Sequence, residues 1–114
     1  MIASQQPWIF LLLAGGFEIA STTIYRYTDG LSRPGPTALL LAAGIASLYL
    51  LNRAMSGPTG IPIGTAYAVW TGLGAAGTAL IGIAIYQEPA NLARVALLAL
   101  LIFSIVGLKF IDPH

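Results

Sequence analysis

One acidic side chain, Glu18, stands about ten residues into an apolar run that opens near Trp8, and no other formally charged side chain occurs before Arg26. An ionised carboxylate held at that depth in hydrocarbon costs several kcal/mol. Burial favours the neutral acid, so such a group takes up a proton and releases it when a cation arrives to replace it. Glu18 is therefore a candidate exchange site for protons and cations. The structural alternative is a protonated acid that only hydrogen-bonds two helices together, but Asn or Gln would do that without the hazard of titration.

Helical spacing puts Ser21, Thr22 and Tyr25 on the stripe of Glu18, at i+3, i+4 and i+7, with Ala14 and Leu11 continuing it towards the amino end. Lipid cannot satisfy hydroxyls, so the stripe is expected to face other helices or a wet cavity. Each hydroxyl taken alone can also bond its own helix carbonyl. A second pattern lies between Gly64 and Gly82, where Ala68 and Gly72, Gly74 and Thr78, and Thr78 and Gly82 repeat small-xxx-small spacing. That spacing lets helix backbones approach closely in a membrane. Tyr67 and Trp70 share a face there, offering aromatic surface to a cation and a phenol to a carboxylate. Gly72 and Gly74 weaken the same helix locally and form a candidate bend.

Other chemistries lack their parts. With no Cys and one His, at the carboxyl end, the chain offers no thiolate or imidazole metal site, redox pair or Ser/His set. Glu18 has no Lys, His or Cys neighbour in its apolar run to complete a catalytic set, so no enzyme, metal or cofactor is expected. A net charge of +1 gives no basic footprint for nucleic acid. The composition, 57% hydrophobic and 8% charged, against about 25% charged in soluble domains, excludes a water-soluble globule.

These residues must then be held by helices that cross a bilayer, each needing about 20 mostly apolar residues. The punctuation predicts four, over 8–25, 37–55, 61–85 and 92–111, in one integral membrane domain over 1–114. Arg26 to Pro36 reads as a solvated turn, and Ser56 to Gly60 and Gln87 to Asn91 as tight connections. The uninterrupted second run, Ala38 to Leu51, is short and is expected to borrow Thr37, Asn52, Ala54 and Met55. No Lys or Arg precedes Trp8 and an acid sits mid-run, so the first helix is expected to stay in the mature protein rather than act as a signal peptide. Arg26, Arg33 and Arg94 in the first and third loops nearly balance Arg53 and Lys109 on the other side. That barely favours termini outside and permits insertion either way. Four short helices enclose little room and one acid; a dimer supplies more of both. Two facing Glu18 side chains would repel unless a proton or cation holds them together, and copies inserted in opposite directions would reproduce an inverted repeat with its site near the midplane.

Phe17-Glu18-Ile19-Ala20-Ser21-Thr22-Thr23, the loop Asp29-Gly30-Leu31-Ser32-Arg33 and the third-helix stretch from Pro62 to Gly74 resemble the small multidrug resistance transporters, across almost the whole chain. The resemblance implies an all-α membrane protein of four transmembrane helices, working as an antiparallel dimer and exporting cations in exchange for protons. It implies that Glu18 is the shared proton and substrate carboxylate and that Tyr67 and Trp70 line the pocket. Ser47 matches a polar second-helix position near the acid, Gly72-Leu73-Gly74 matches a bend, and the fourth helix is implied to form much of the dimer contact. Guanidinium-exporting members usually carry Trp three residues after the glutamate, and quaternary-ammonium exporters carry Gly; this chain has Ser21. The stretch from Gly64 to Gly72 and the closing Val106-Gly107-Leu108-Lys109 look like the guanidinium branch, while Thr22-Thr23 looks like the other. Paired members that form heterodimers reconcile the two. The Ser56–Gly60 connection looks about three residues longer than the family's, and Ser104 stands where Gly is common.

The expected function is a proton-coupled antiporter of the inner (plasma) membrane, exporting quaternary ammonium or guanidinium-like organic cations as a homodimer or as a heterodimer with a related small subunit. Glu18 binds proton and substrate; Ser21, Thr22, Ser47, Tyr67 and Trp70 form the pocket; Gly72 and Gly74 form the bend. The alternative is a small non-transporting subunit whose buried Glu18 specifies assembly with a larger complex.

Overall fold

The computed structural model describes residues 2–111. Four α-helices hold most of them: α1 (Ile2–Tyr25), α2 (Pro34–Met55), α3 (Ile63–Tyr86) and α4 (Leu92–Ile111). Each contains a stretch long and apolar enough to cross a membrane, beginning at Gln6 in α1. Many large apolar side chains point outward, including Ile45, Leu97 and Phe103. A surface of that kind belongs in hydrocarbon or against another protein.

α1 begins at Ile2 rather than near Trp8, and two further helix starts differ from the sequence expectation, each for a local reason. α2 starts at Pro34 rather than near Thr37, because proline lacks an N–H at a turn where the helix makes no use of one. The early start gives the short second run its full 22 residues. α3 starts at Ile63 rather than 61. Ile61 is instead buried in the connection, donating its N–H to the Ala54 carbonyl at 2.9 Å. The first connection is also more than a solvated turn. Buried Thr28 donates its hydroxyl to the Tyr25 carbonyl at 2.8 Å and accepts from the Leu31 N–H at 3.1 Å. Around that anchor Asp29, Gly30 and Leu31 take φ values of 50°, 68° and 69°.

α1 packs along both α2 and α3, whereas the backbone of α4 lies close to α3 alone, with Lys109 Nζ reaching to 5.3 Å from the centre of the Trp8 ring of α1. The core gathers Trp8, Leu11 and Ala14 of α1 with Leu51 and Ala54 of α2 and Val69 of α3. It therefore lies beside the amino-terminal half of α1, and the half that carries Glu18 is less tightly covered. The small residues of α3 serve two neighbours. Gly74 and Gly77 admit Glu18 and Ile19 of α1, while a Cβ at Gly72 would come within 2.9 Å of Ile105 Cδ1 on α4.

The second connection makes the sharpest packing demand. A Cβ at Gly60 would lie 2.8 Å from the Ser56 carbonyl oxygen and nearer still to that of Met55. These are backbone atoms that cannot swing away. Gly60→Ala is expected to destabilise the protein by about 1–3 kcal/mol. Gly35→Ala, with nothing within 4 Å of the added carbon, should be neutral; thermal unfolding of both variants in detergent checks the contrast.

Candidate functional site

Glu18 lies within about 4 Å of the middle of the Gln6–Tyr25 span along the helix axis. It is half-buried against α3, where Gly74 makes the room: a Cβ there would come within 2.9 Å of Glu18 Cγ. The carboxyl group opens onto a cleft of about 590 Å³ whose walls include Thr22, Tyr67, Trp70 and Thr71. Among the described residues its oxygens take part in no hydrogen bond or ion pair. No protein group pairs with that carboxyl group, so its polar contacts are left to what the cleft admits.

The aromatic wall is fixed from behind. Tyr67 and Trp70 rings lie 5.5 Å apart and are tilted by 50°. Trp70 Nε1 donates to Ser47 Oγ at 2.9 Å, and that hydroxyl donates onward to the Ala14 carbonyl at 2.6 Å. This chain ties α3 to α2 and α2 to α1. It leaves the indole face, the part that attracts cations, to the cleft.

Of the residues singled out from sequence, Glu18, Thr22, Tyr67 and Trp70 line one cleft. Ser21 and Ser47 do not. Ser47 is fully buried behind Trp70, where it positions the ring. Ser21 Oγ faces α2, 3.7 Å from where a Cβ of Gly44 would be. The helical turn explains the split, since Ser21 lies about 60° to one side of Glu18 and Thr22 about 40° to the other. With α1 between two neighbours, one stripe serves both: Thr22 Oγ1 meets Thr78 Oγ1 of α3 at 2.5 Å and also donates to its own helix at Ile19 O, 3.0 Å away. α3 runs as one helix through Gly72 and Gly74, and what these glycines provide in this conformation is close approach to α4 and to Glu18.

The cleft also includes residues that sequence reasoning did not select, notably Thr78, Glu88 and Arg94. Thr78 belonged to the small-residue seam, a usable signal. Glu88 and Arg94 come from the third connection and the first turn of α4, where Asn91 Oδ1 accepts the Arg94 N–H at 2.8 Å and caps the helix. Nothing local in the sequence points either of them at Glu18.

Four membrane-spanning helices around one unpartnered mid-membrane acid in an aromatic-walled cleft have the build of a small transporter rather than an enzyme. The chain belongs to the Small Multidrug Resistance protein family, which it matches over residues 6–101, and is accordingly a multi-pass efflux transporter of the inner membrane. It is 45% identical to a guanidinium exporter of Proteus vulgaris over 102 residues, covering 90% of this chain and 95% of that relative. Guanidinium exporters of Escherichia coli strain K12 and of Yersinia pestis are each 46% identical over 102 residues, covering 90% of this chain and 94% and 95% of theirs.

Removing the Ser47 hydroxyl leaves the buried end of the Trp70 N–H without its acceptor. Ser47→Ala is expected to cost about 1–3 kcal/mol and, in a Trp8→Phe background, to move the Trp70 emission to longer wavelength as the ring loosens. Unchanged emission and stability would show that the ring is held by packing alone.

Proposed function

We propose that the chain exports small organic cations in exchange for protons, that both ligands compete for the Glu18 carboxylate, and that two copies or two related subunits in opposite orientations form the working unit. One observation carries the reading: Glu18 is the mid-membrane acid, it has no partner among the described residues, and it opens onto an aromatic-walled cleft. An ionised Glu18 attracts a cation, and the faces of Trp70 and Tyr67 add quadrupole attraction worth roughly 1–2 kcal/mol when desolvated. A protonated Glu18 offers the cation nothing. Since one carboxylate cannot hold both ligands tightly, each displaces the other and the two flows are linked.

The similarity to guanidinium exporters supports that substrate class. The cleft, at about 590 Å³, is much larger than a guanidinium ion, and Ser21 faces α2 without narrowing it. That room also suits bulkier quaternary ammonium ions. A second subunit would narrow the opening, and the apolar outer face of α4, with Phe103 and Phe110 well exposed, is a surface on which it could pack.

Glu18→Gln should abolish proton-driven cation uptake into reconstituted vesicles, and full activity in that variant would remove the mechanism. Guanidinium or tetraphenylphosphonium titrated against Trp fluorescence should bind more weakly as pH falls, because protonation removes the charge that the cation needs. Affinity indifferent to pH would contradict competition. Trp70→Ala should alter substrate preference while leaving the pH dependence in place.

A further inference from the structure

At the outer part of the same cleft, Arg94 Nη2 donates to Glu88 Oε1 at 2.9 Å, while Arg94 Nη1 donates to the Pro89 carbonyl at 2.9 Å. The carboxylate is seated over α3 at Gly82, where a Cβ would fall within 2.8 Å of both its oxygens, and the Glu88 N–H donates to the Gly82 carbonyl at 3.1 Å. Glu88 is thus a second acid with a built seat. Gly82 lies two helical turns beyond Gly74, about 12 Å along α3 from the place where Glu18 rests. The other nearby base, Arg26, has its guanidinium 3.8 Å from the centre of the Tyr86 ring, so Arg94 is the cation that occupies Glu88. The pair is partly open to its surroundings, with Arg94 33% and Glu88 42% exposed. Ion pairs of that exposure hold with no more than a few-fold preference.

The group on Glu88 is a guanidinium, chemically the same head as the cation carried by the relatives. We propose that Glu88 is an outer cation-capture site and Arg94 its tethered, displaceable occupant. An incoming planar organic cation replaces Arg94 on Glu88 before it moves inward to Glu18, and Arg94 returns to Glu88 behind it. The inference rests on the export reading, in which Glu18 is the inner site. It adds a first selection step in which the substrate must outcompete an internal guanidinium.

Guanidinium and phenylguanidinium binding to the full-length protein, followed by calorimetry at low salt, tests the proposal in Glu88→Gln, Arg94→Gln and the double variant. Arg94→Gln should tighten binding about two- to fivefold by emptying the carboxylate, and Glu88→Gln should weaken it. The double variant should follow Glu88→Gln, because the gain needs the freed acid. A double variant that returns to wild-type affinity would mean that only long-range charge matters, and single variants that shift affinity in the same direction would mean a purely structural ion pair; either result overturns the proposal. Should Arg94→Gln fail to fold, Arg94→Lys, which keeps the charge but cannot hold Pro89 and Glu88 together, must show a smaller gain, and none would be equally decisive against it. Proton-driven uptake by Glu18→Gln, measured alongside, separates the two readings: uptake retained there sinks the export mechanism, whereas uptake lost there with binding unchanged in the Glu88 and Arg94 variants sinks only the outer site.

Discussion

A carboxyl group near the middle of a bilayer, with no donor among the described side chains, is the constraint from which the rest of this fold can be understood. Water would ordinarily supply its solvation, and hydrocarbon cannot. The protein surrounds Glu18 with a cleft rather than with hydrogen bonds, so its polar contacts are left to whatever enters. Had Ser21 or a buried base bonded it, the same side chain would be a structural pin.

Keeping that acid accessible while holding four helices together explains the uneven packing. Tight contacts gather around Leu11, Ala14 and Val69, beside the amino-terminal half of α1. Beyond them α1 and α3 meet through Gly74, Gly77 and Thr78, where the absence of bulk leaves room for Glu18 and Ile19. In a membrane such close backbone approach replaces the hydrophobic drive that joins helices in water. α4 stands apart, its backbone close to α3 only, with many of its apolar side chains exposed within the chain.

Much of this was legible in the sequence because hydrocarbon imposes simple rules. Four apolar runs separated by Gly, Pro and charge gave four helices, and a lone acid inside a run marked the candidate site, which the structure places in a cleft. Where the reading stopped short, the cause was three-dimensional. Ser21 and Thr22 occupy one stripe on paper but meet different helices, because α1 is flanked on two sides. Ser47 looked like a pocket residue, yet its hydroxyl lies behind the indole that it holds. Thr37 looked like the start of the second helix, and two prolines that break helices elsewhere extend its first turn. The Glu88–Arg94 contact joins a connection to the next helix and left no periodic trace.

The hydrogen bonds around the cleft tie its wall to the helices behind it. The hydroxyls of Thr22 and Thr78 meet one another, and Thr22 Oγ1 also lies 3.0 Å from Ile19 O. The Trp70 N–H and Ser47 O–H are turned inward along their relay to Ala14. Those hydrogens are engaged within the protein, while Tyr67, Thr71 and Arg94 bring further donors to the lining. A tilt of the Trp70 ring would have to break a bond in the same relay that joins α2 to α1, so any widening of the chamber on that side is tied to the seating of those two helices.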